Sequence, residues 1–169
     1  MPILEILTYP DSFLRKITRD VENINDELQN LIESMTETMY AAPGVGLAAN
    51  QIGSDQKILV FDTADDAGKR SSHVLINPRI LERNGEIISE DEGCLSVPDF
   101  RSNVKRAASI LVEAVDREGN PLSIEASGFL AIVLQHEIDH LEGKLFVDHI
   151  SMLKKQLFAR KVKKQLKNR

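Results

Sequence analysis

The sequence predicts an α+β fold, in which short antiparallel sheets pack around a buried helix and a further helix lies at the C-terminus. Three features of the chain predict this class. Apolar residues recur at helical spacing near the N-terminus, short β-branched runs separated by turns follow, and a long apolar segment begins at residue 127. Because helices and strands do not alternate along the chain, a parallel sheet of βαβ units is not expected.

The first predicted helix begins after Asn25, whose side chain can cap a helix and which two acidic residues follow. The helical repeat ends at Tyr40, ahead of Pro43. Its apolar residues are Leu28, Leu31, Ile32, Met35 and Met39. They predict an amphipathic helix with one buried face.

Short runs of apolar and β-branched residues predict five strands, at residues 57–62, 73–77, 86–90, 109–116 and 122–126. The polar segment from Thr63 to Ser72 separates the first two as a loop. The last two flank a turn from Arg117 to Pro121, which predicts a β-hairpin.

The segment from Ser127 to Leu141 is predicted to be a largely buried helix that ends before Gly143. A further helix is predicted from Ser151. The apolar stripe of that last helix is narrow, as expected of an element that projects from the body, and consists of Leu153, Leu157, Val162 and Leu166.

The chain has 169 residues, 42% of them hydrophobic and 28% charged, which predicts one domain with its own core. We expect residues 1–150 to form its body and residues 151–169 a basic helical tail. No segment reaches the roughly 18–20 apolar residues of a membrane span, and the N-terminus lacks a signal-peptide pattern, so we expect a cytoplasmic protein with no membrane partner. The single cysteine, Cys94, excludes an internal disulfide.

Charge is divided unevenly between the body and the tail. Eight of the 21 basic residues follow Asp148, the last acidic residue, which leaves 13 basic residues against 26 acidic ones in the body. This polarity predicts a tail that docks on an anionic partner such as RNA. A solvated helix that tolerates lysine is an equally good interpretation of the charges alone.

The motif His136-Glu137-Ile138-Asp139-His140 is the strongest local signal in the chain. On a helix, the two histidines lie one turn apart on one face, where both imidazoles can bind one metal ion. Glu137 beside them can exchange a proton with a metal-bound water. The motif therefore predicts a metal-dependent hydrolase.

A catalytic site of this kind needs a third protein ligand. Phe146 stands where metzincins carry a third histidine, and no glutamate follows Glu142 to serve as in thermolysin-like enzymes, so the ligand is expected upstream. Cys94 is the best candidate because it is unique and follows a glycine, although a buried structural cysteine is the alternative. His73 and His149 are interpreted as ordinary residues, strand-borne and solvent-facing respectively.

The segment from Gly44 to Gln51 superficially fits the dinucleotide fingerprint. A predicted helix and Pro43 precede it, whereas the fingerprint needs a strand there, so we reject nucleotide binding. A pair of glycines also suits a loop whose backbone lies against a peptide. The side-chain amide of Gln51 can donate to a developing oxyanion.

Taken together, three segments resemble the peptide deformylases, whose hallmarks are GxGLAAxQ, EGCLS and QHExxHLxG. They stand here as Gly44 to Gln51, Glu92 to Ser96 and Gln135 to Gly143, in that order. The resemblance covers essentially the whole chain. It implies an enzyme that removes the N-formyl group from the N-terminal formylmethionine of nascent polypeptides and releases formate.

The resemblance also implies a role for each residue of the site. The metal, natively Fe(II) and replaceable by Zn, Ni or Co, would be held by Cys94, His136 and His140. Metal-bound hydroxide would attack the formyl carbon with Glu137 as general acid/base, while Gln51 and the backbone N–H of Leu95 stabilise the oxyanion. Substrate contacts would come from Gly44, Val45, Gly46, Gly93, Phe129, Ile132, Val133 and, as an outer contact, Arg101.

The tail from Lys154 to Arg169 is similar in charge and position to the basic helix that docks bacterial members on the ribosome. We therefore expect ribosome binding by an otherwise monomeric enzyme. Two other interpretations stay open on the residues alone. A peptidase could use the same metal helix, and a non-catalytic module could bind RNA; Glu137, which metal binding does not need, favours catalysis.

Overall fold

The computed structural model describes residues 2–63 and 67–168. The helices in these ranges are α1 (Asp26–Ala41), α2 (Gly128–Leu141) and α3 (Met152–Lys167), with single 3-10 turns at Ser12–Arg15, Ala49–Ile52 and Phe146–His149. The strands are β1 (Gly46–Ala48), β2 (Ile58–Asp62), β3 (Ser72–Asn84), β4 (Ile87–Cys94), β5 (Val97–Arg106), β6 (Ser109–Val115) and β7 (Pro121–Ser127). Among the helices of the described ranges, none has the length and apolar character needed to cross a membrane.

The strands form antiparallel sheets of two sizes. The larger sheet has the order β1-β2-β3-β6-β7, and the smaller is the β4–β5 hairpin. Leu111 of β6 pairs with Glu125 of β7, so the hairpin predicted around residues 117–121 is confirmed. With α2 buried against the larger sheet and α3 at the C-terminus, the predicted α+β class is confirmed as well.

The larger sheet is covered on both faces where β2 runs through it. Leu59 and Phe61 share an apolar cluster with Leu134 of α2, whereas Ile58 and Val60 share a second cluster with α1. Alternate residues of a strand point to opposite faces. The continuous apolar run of β2 is therefore explained by two buried faces, one under each helix.

Side-chain caps begin two helices at the predicted residues. Asn25 Oδ1 accepts a hydrogen bond from Leu28 N at 3.0 Å, and Ser151 Oγ accepts one from Lys154 N at 3.3 Å. Each bond satisfies an N–H group that the first helical turn leaves unpaired. Helix α1 then buries its predicted apolar stripe, with Leu31 only partly buried.

Two strands were not predicted from the sequence. Strand β1 lies in the segment that we interpreted as a glycine loop, and only its pairing with β2 defines it. Strand β5 buries Ser102, Val104 and Arg106, so two of its three alternating inward residues are polar and the usual apolar alternation is missing. Strand β3 also continues past the predicted end at Asn77, because β6 pairs with its second half.

Helix α3 does not simply project from the body, which corrects the expectation drawn from its narrow stripe. Phe158, which lies outside that stripe, is only 7% exposed. Its ring centroid lies 5.1 Å from that of Tyr9 and 4.9 Å from that of Phe100. Leu153 and Leu157 remain exposed. The helix is thus docked mainly through Phe158, with Val162 packed against the same cluster.

Candidate metal centre

An open cleft of about 470 Å³ lies between the glycine segment, the β4–β5 hairpin and α2. Its wall includes every residue that was predicted to contact the substrate, namely Gly44, Val45, Gly46, Gly93, Arg101, Phe129, Ile132 and Val133. Val45 and Phe129 are 47% and 67% exposed, so the mouth of the cleft presents apolar side chains beside its charged residues. The fold therefore gathers three distant segments of the chain around one cavity.

Cys94, His136 and His140 meet at the base of this cleft. The Nε2 atom of His140 lies 3.2 Å from Cys94 Sγ and 3.2 Å from His136 Nε2. The three donor atoms all lie within 4.8 Å of one another. Helix α2 presents the two histidines one turn apart, whereas the cysteine comes from the end of β4.

The spacing of these donor atoms fits one metal ion. Two ligand atoms about 2.1 Å from a common centre, at a tetrahedral angle, stand about 3.4 Å apart, close to the observed separations. Burial and the neighbouring His136 hold the pKa of His140 well below its ordinary value, which favours the neutral imidazole that metal binding requires. A thiolate and two imidazoles suit first-row transition metals.

Glu92 orients His136 from the side opposite the cysteine. Its Oε1 atom accepts a hydrogen bond from His136 Nδ1 at 2.7 Å, which leaves Nε2 facing the other donor atoms. A carboxylate in this position fixes the tautomer and orientation of a ligating histidine. Glu92 lies in one of the hallmark segments, but its contact with His136 was not predicted, because the two residues are 44 positions apart.

Arg106 holds Glu92 in place from the interior of the protein. Its guanidinium, only 4% exposed, donates to both oxygens of Glu92 at 2.5 and 3.3 Å and to Asp139 Oδ2 at 2.8 Å. Burial opposes the charge of Glu92, yet hydrogen bonds from His136 and Arg106 lower its pKa to about 2. Glu92 is therefore ionised at neutral pH. Neither Arg106 nor Asp139 was predicted as a site residue.

The Glu137 carboxyl group is buried beside the candidate metal ligands. Among the described residues, its Oε2 atom has no hydrogen-bond partner, and Oε1 lies 3.9 Å from His136 Nε2. Burial raises the pKa of Glu137 to about 7, a range in which the group can both accept and donate a proton. Gly46 leaves the room for it, since a Cβ there would lie 2.8 Å from Glu137 Cγ.

Gln51 and Leu95 line the cleft on either side of the cysteine. Gln51 Oε1 accepts a hydrogen bond from Ala48 N at 2.9 Å, which directs Nε2 to Ser96 Oγ at 3.1 Å and Cys94 Sγ at 3.7 Å. The side-chain amide thus points towards the candidate metal ligands, where a donor to a developing oxyanion would be needed.

The two remaining histidines differ in their surroundings. His73 lies on β3, as predicted, with Nε2 2.9 Å from Thr63 Oγ1. His149 is exposed, but its Nε2 atom lies 2.8 Å from Asp139 Oδ2. The interpretation of His149 as merely solvent-facing was therefore incomplete.

Comparison with known proteins identifies the family. The profile of the family described as Polypeptide deformylase matches residues 3–156. This chain belongs to the polypeptide deformylase family. It is 52% identical to the peptide deformylase of Desulfosudis oleivorans over 167 residues, which cover 99% of this chain and 96% of that protein.

Solved structures of peptide deformylases share the fold of this chain. The Legionella pneumophila deformylase superposes with a TM-score of 0.89 at 47% identity, covering 99% of each chain. The Ehrlichia chaffeensis deformylase in complex with actinonin gives a TM-score of 0.89 at 37% identity, covering 98% of each chain. Membership in this family of metal-dependent deformylases makes the chain an enzyme, as predicted, and excludes the non-catalytic module.

Proposed function

We propose that the cleft removes the N-formyl group from the N-terminal formylmethionine of nascent polypeptides and releases formate. One observation carries this proposal. The donor atoms of Cys94, His136 and His140 converge at a cleft whose mouth presents exposed apolar side chains. Beside them lies the Glu137 carboxyl oxygen that has no hydrogen-bond partner among the described residues. This combination suits hydrolysis of a small amide at the end of an apolar residue.

The proposed ligands are Cys94, His136 and His140, and the resemblance favours Fe(II) among the cations that this donor set accepts, with Zn, Ni or Co able to substitute. When bound, the cation supplies a Lewis acid that lowers the pKa of a water molecule and polarises the formyl carbonyl. Glu92 supports the proposal because it fixes the ring of His136 for ligation.

Glu137 is the proposed general acid/base. It would take a proton from the attacking water and pass it to the departing methionine amine as the formyl C–N bond breaks. Its burial and its raised pKa support both steps. Gln51 and the backbone N–H of Leu95 would donate to the oxygen of the formyl group as negative charge develops there.

The proposed substrate contacts divide into backbone and side-chain groups. Gly44, Val45, Gly46 and Gly93 would hold the peptide backbone. The methionine side chain would be enclosed by Val45, Phe129, Ile132, Val133 and the edge of His136. The apolar, partly exposed character of Val45 and Phe129 supports this assignment. Arg101 would contact residues further along the peptide, since it is exposed at the rim of the cleft.

The test is formate release from formyl-Met-Ala-Ser by anaerobically purified protein, with metal content measured on the same sample. Cys94→Ala should lose the metal and the activity, whereas Glu137→Gln should keep the metal and lose about 10²- to 10⁴-fold in kcat. Acetyl-Met-Ala-Ser serves as the matched substrate, and a peptidase would cleave both peptides internally. Metal-loaded protein that releases no formate would overturn the proposal.

We also propose that residues 1–150 form a single catalytic domain and that residues 151–169 form its basic tail, which docks a monomeric, cytoplasmic enzyme on the ribosome. Burial of Phe158 against the body supports a tail that belongs to the same domain. The exposed lysines of α3 support contact with an anionic surface such as ribosomal RNA.

Charge neutralisation tests the tail better than deletion, because deletion would also remove the buried Phe158. Lys163→Gln/Lys164→Gln should weaken ribosome binding and lower the slope of log affinity against log salt by about 1 per lost phosphate contact, without changing turnover of a short peptide. Arg83→Gln/Lys105→Gln, which neutralises two exposed cations of the body, is the matched control. Equal ribosome affinity of both variants would contradict docking through the tail.

A further inference from the structure

His149 lies outside the cleft, in the 3-10 turn after α2, and the proposed mechanism does not use it. Its side chain is 35% exposed, and its Nε2 atom lies 2.8 Å from Asp139 Oδ2. That carboxylate oxygen is shared, because Arg106 Nη1 also donates to it at 2.8 Å. The exposed histidine is therefore bonded directly to a buried ionic network.

The network continues without a break to a proposed metal ligand. Arg106 donates to both oxygens of Glu92, and Glu92 accepts a hydrogen bond from His136 Nδ1 at 2.7 Å. We call Asp139, Arg106 and Glu92 the buried charge chain. Their side chains are 12%, 4% and 6% exposed, so water screens their interactions only weakly.

The charges within this chain do not balance. Two carboxylates share one guanidinium, which leaves a net negative charge in the interior. His149 Nε2 and Arg106 Nη1 each lie 2.8 Å from the same Oδ2 atom of Asp139. His149 thus stabilises the ionised Asp139 together with Arg106. Without it, Arg106 is the remaining side-chain partner of Asp139 among the described residues, while it also binds Glu92.

We propose that His149 is a positioning residue, which keeps the metal ligand His136 in its ligating orientation through the buried charge chain. When His149 donates to Asp139, the guanidinium of Arg106 stays bidentate on Glu92. Glu92 then holds the imidazole ring of His136. When this donor is lost, Arg106 moves towards Asp139. Its hydrogen bonds to Glu92 then weaken. This inference rests on the proposed metal centre.

The experiment compares two substitutions in the full chain. His149→Phe keeps a ring but removes the donor, whereas His149→Gln keeps an amide donor. The first readout is the rate at which Co(II)-loaded protein loses its metal to a chelator. The second is the split between kcat and KM for formyl-Met-Ala-Ser.

Replacing a group bonded directly to a ligating histidine costs about 10- to 100-fold in metal affinity, and His149 acts from further away, so we expect about three- to tenfold faster metal release for His149→Phe. We expect kcat to fall with KM unchanged, since His149 does not line the cleft. His149→Gln should recover most of both losses. If the His149 ring only filled space, the amide donor of His149→Gln would not recover these losses.

His73→Phe is the matched control, because His73 lies on β3 and has no bond to the buried charge chain. Thermal unfolding of each metal-free variant shows whether it folds. Wild-type metal release in His149→Phe, or equal losses in the Phe and Gln variants, would overturn the inference. Failure of the wild-type protein to bind Co(II) or release formate would instead overturn the proposed function, so the two failures are distinguishable.

Discussion

A single methyl group added at Gly46 would displace Glu137 without changing its chemistry. In Gly46→Ala, the new Cβ would lie 2.8 Å from Glu137 Cγ and 3.0 Å from its Cδ and Oε1 atoms. Carbon atoms in contact prefer about 3.5–4.0 Å, so the carboxyl group must move by about 1 Å. Glu137 is only 5% exposed, so this movement repositions a buried carboxyl group.

A misplacement of about 1 Å at a reacting centre costs on the order of 10²-fold in rate. For Gly46→Ala we therefore expect kcat to fall by about 100-fold, with metal content unchanged. Overpacking should also lower the free energy of unfolding by about 1–3 kcal/mol. Formate release under saturating formyl-Met-Ala-Ser, metal analysis and denaturant unfolding measure the three quantities.

Gly44→Ala is the matched control. A Cβ at Gly44 would lie 3.0 Å from Leu95 Cδ1, the far end of a flexible side chain that can turn away. We expect a much smaller loss of kcat in this variant. If Gly46→Ala kept the wild-type kcat with a full complement of metal, catalysis by Glu137 from its observed position would be refuted.

Three further predictions concern stability outside the cleft. Phe158→Ala should lower the free energy of unfolding by about 3 kcal/mol, because it removes a ring that is only 7% exposed. An unchanged midpoint of denaturant unfolding would mean that α3 does not pack against the body. Gly143→Ala should lower the melting temperature, because φ is +75° and a Cβ would lie 2.9 Å from the carbonyl carbon of Arg15; equal melting curves would contradict this. Asp148→Asn should cost about 0.5–1 kcal/mol at pH 7, since the ion pair with Arg15 at 2.6 Å is partly exposed. Although burial opposes it, hydrogen bonding to Arg15 lowers the pKa of Asp148, so this stabilisation is present above the unfolded pKa and is lost as the pH falls through the folded pKa. If the free energies of unfolding of wild type and Asp148→Asn still differed by the same amount in strong acid, the ion pair would not be the cause of the difference.

Much of the site could be predicted because its signals are local. Two histidines four residues apart on a helix face the same direction wherever the helix lies, so the helical motif by itself pairs His136 with His140. The caps at Asn25 and Ser151 likewise act within one turn. Cys94 was predicted as the third ligand for other reasons. No suitable ligand follows the helical motif, and the resemblance implies a cysteine at this position.

The supporting residues behind the ligands could not be predicted in this way. Glu92, Arg106 and Asp139 are common charged residues whose partners lie 10 to 44 residues away along the chain. No periodicity marks them, and β5, which carries Arg106, escaped prediction because its inward positions are partly polar.

The sequence by itself determined the helices, the hairpin of β6 and β7, and the residue types of the metal centre, because periodicity, capping and turn chemistry act over a few residues. Only the tertiary structure decided that β1 exists, that Gly46 gives space to Glu137, and that His149 reaches Asp139. Each of these depends on contacts between segments that are separated along the chain. Such contacts form only when the whole core packs, so local sequence patterns do not predict them.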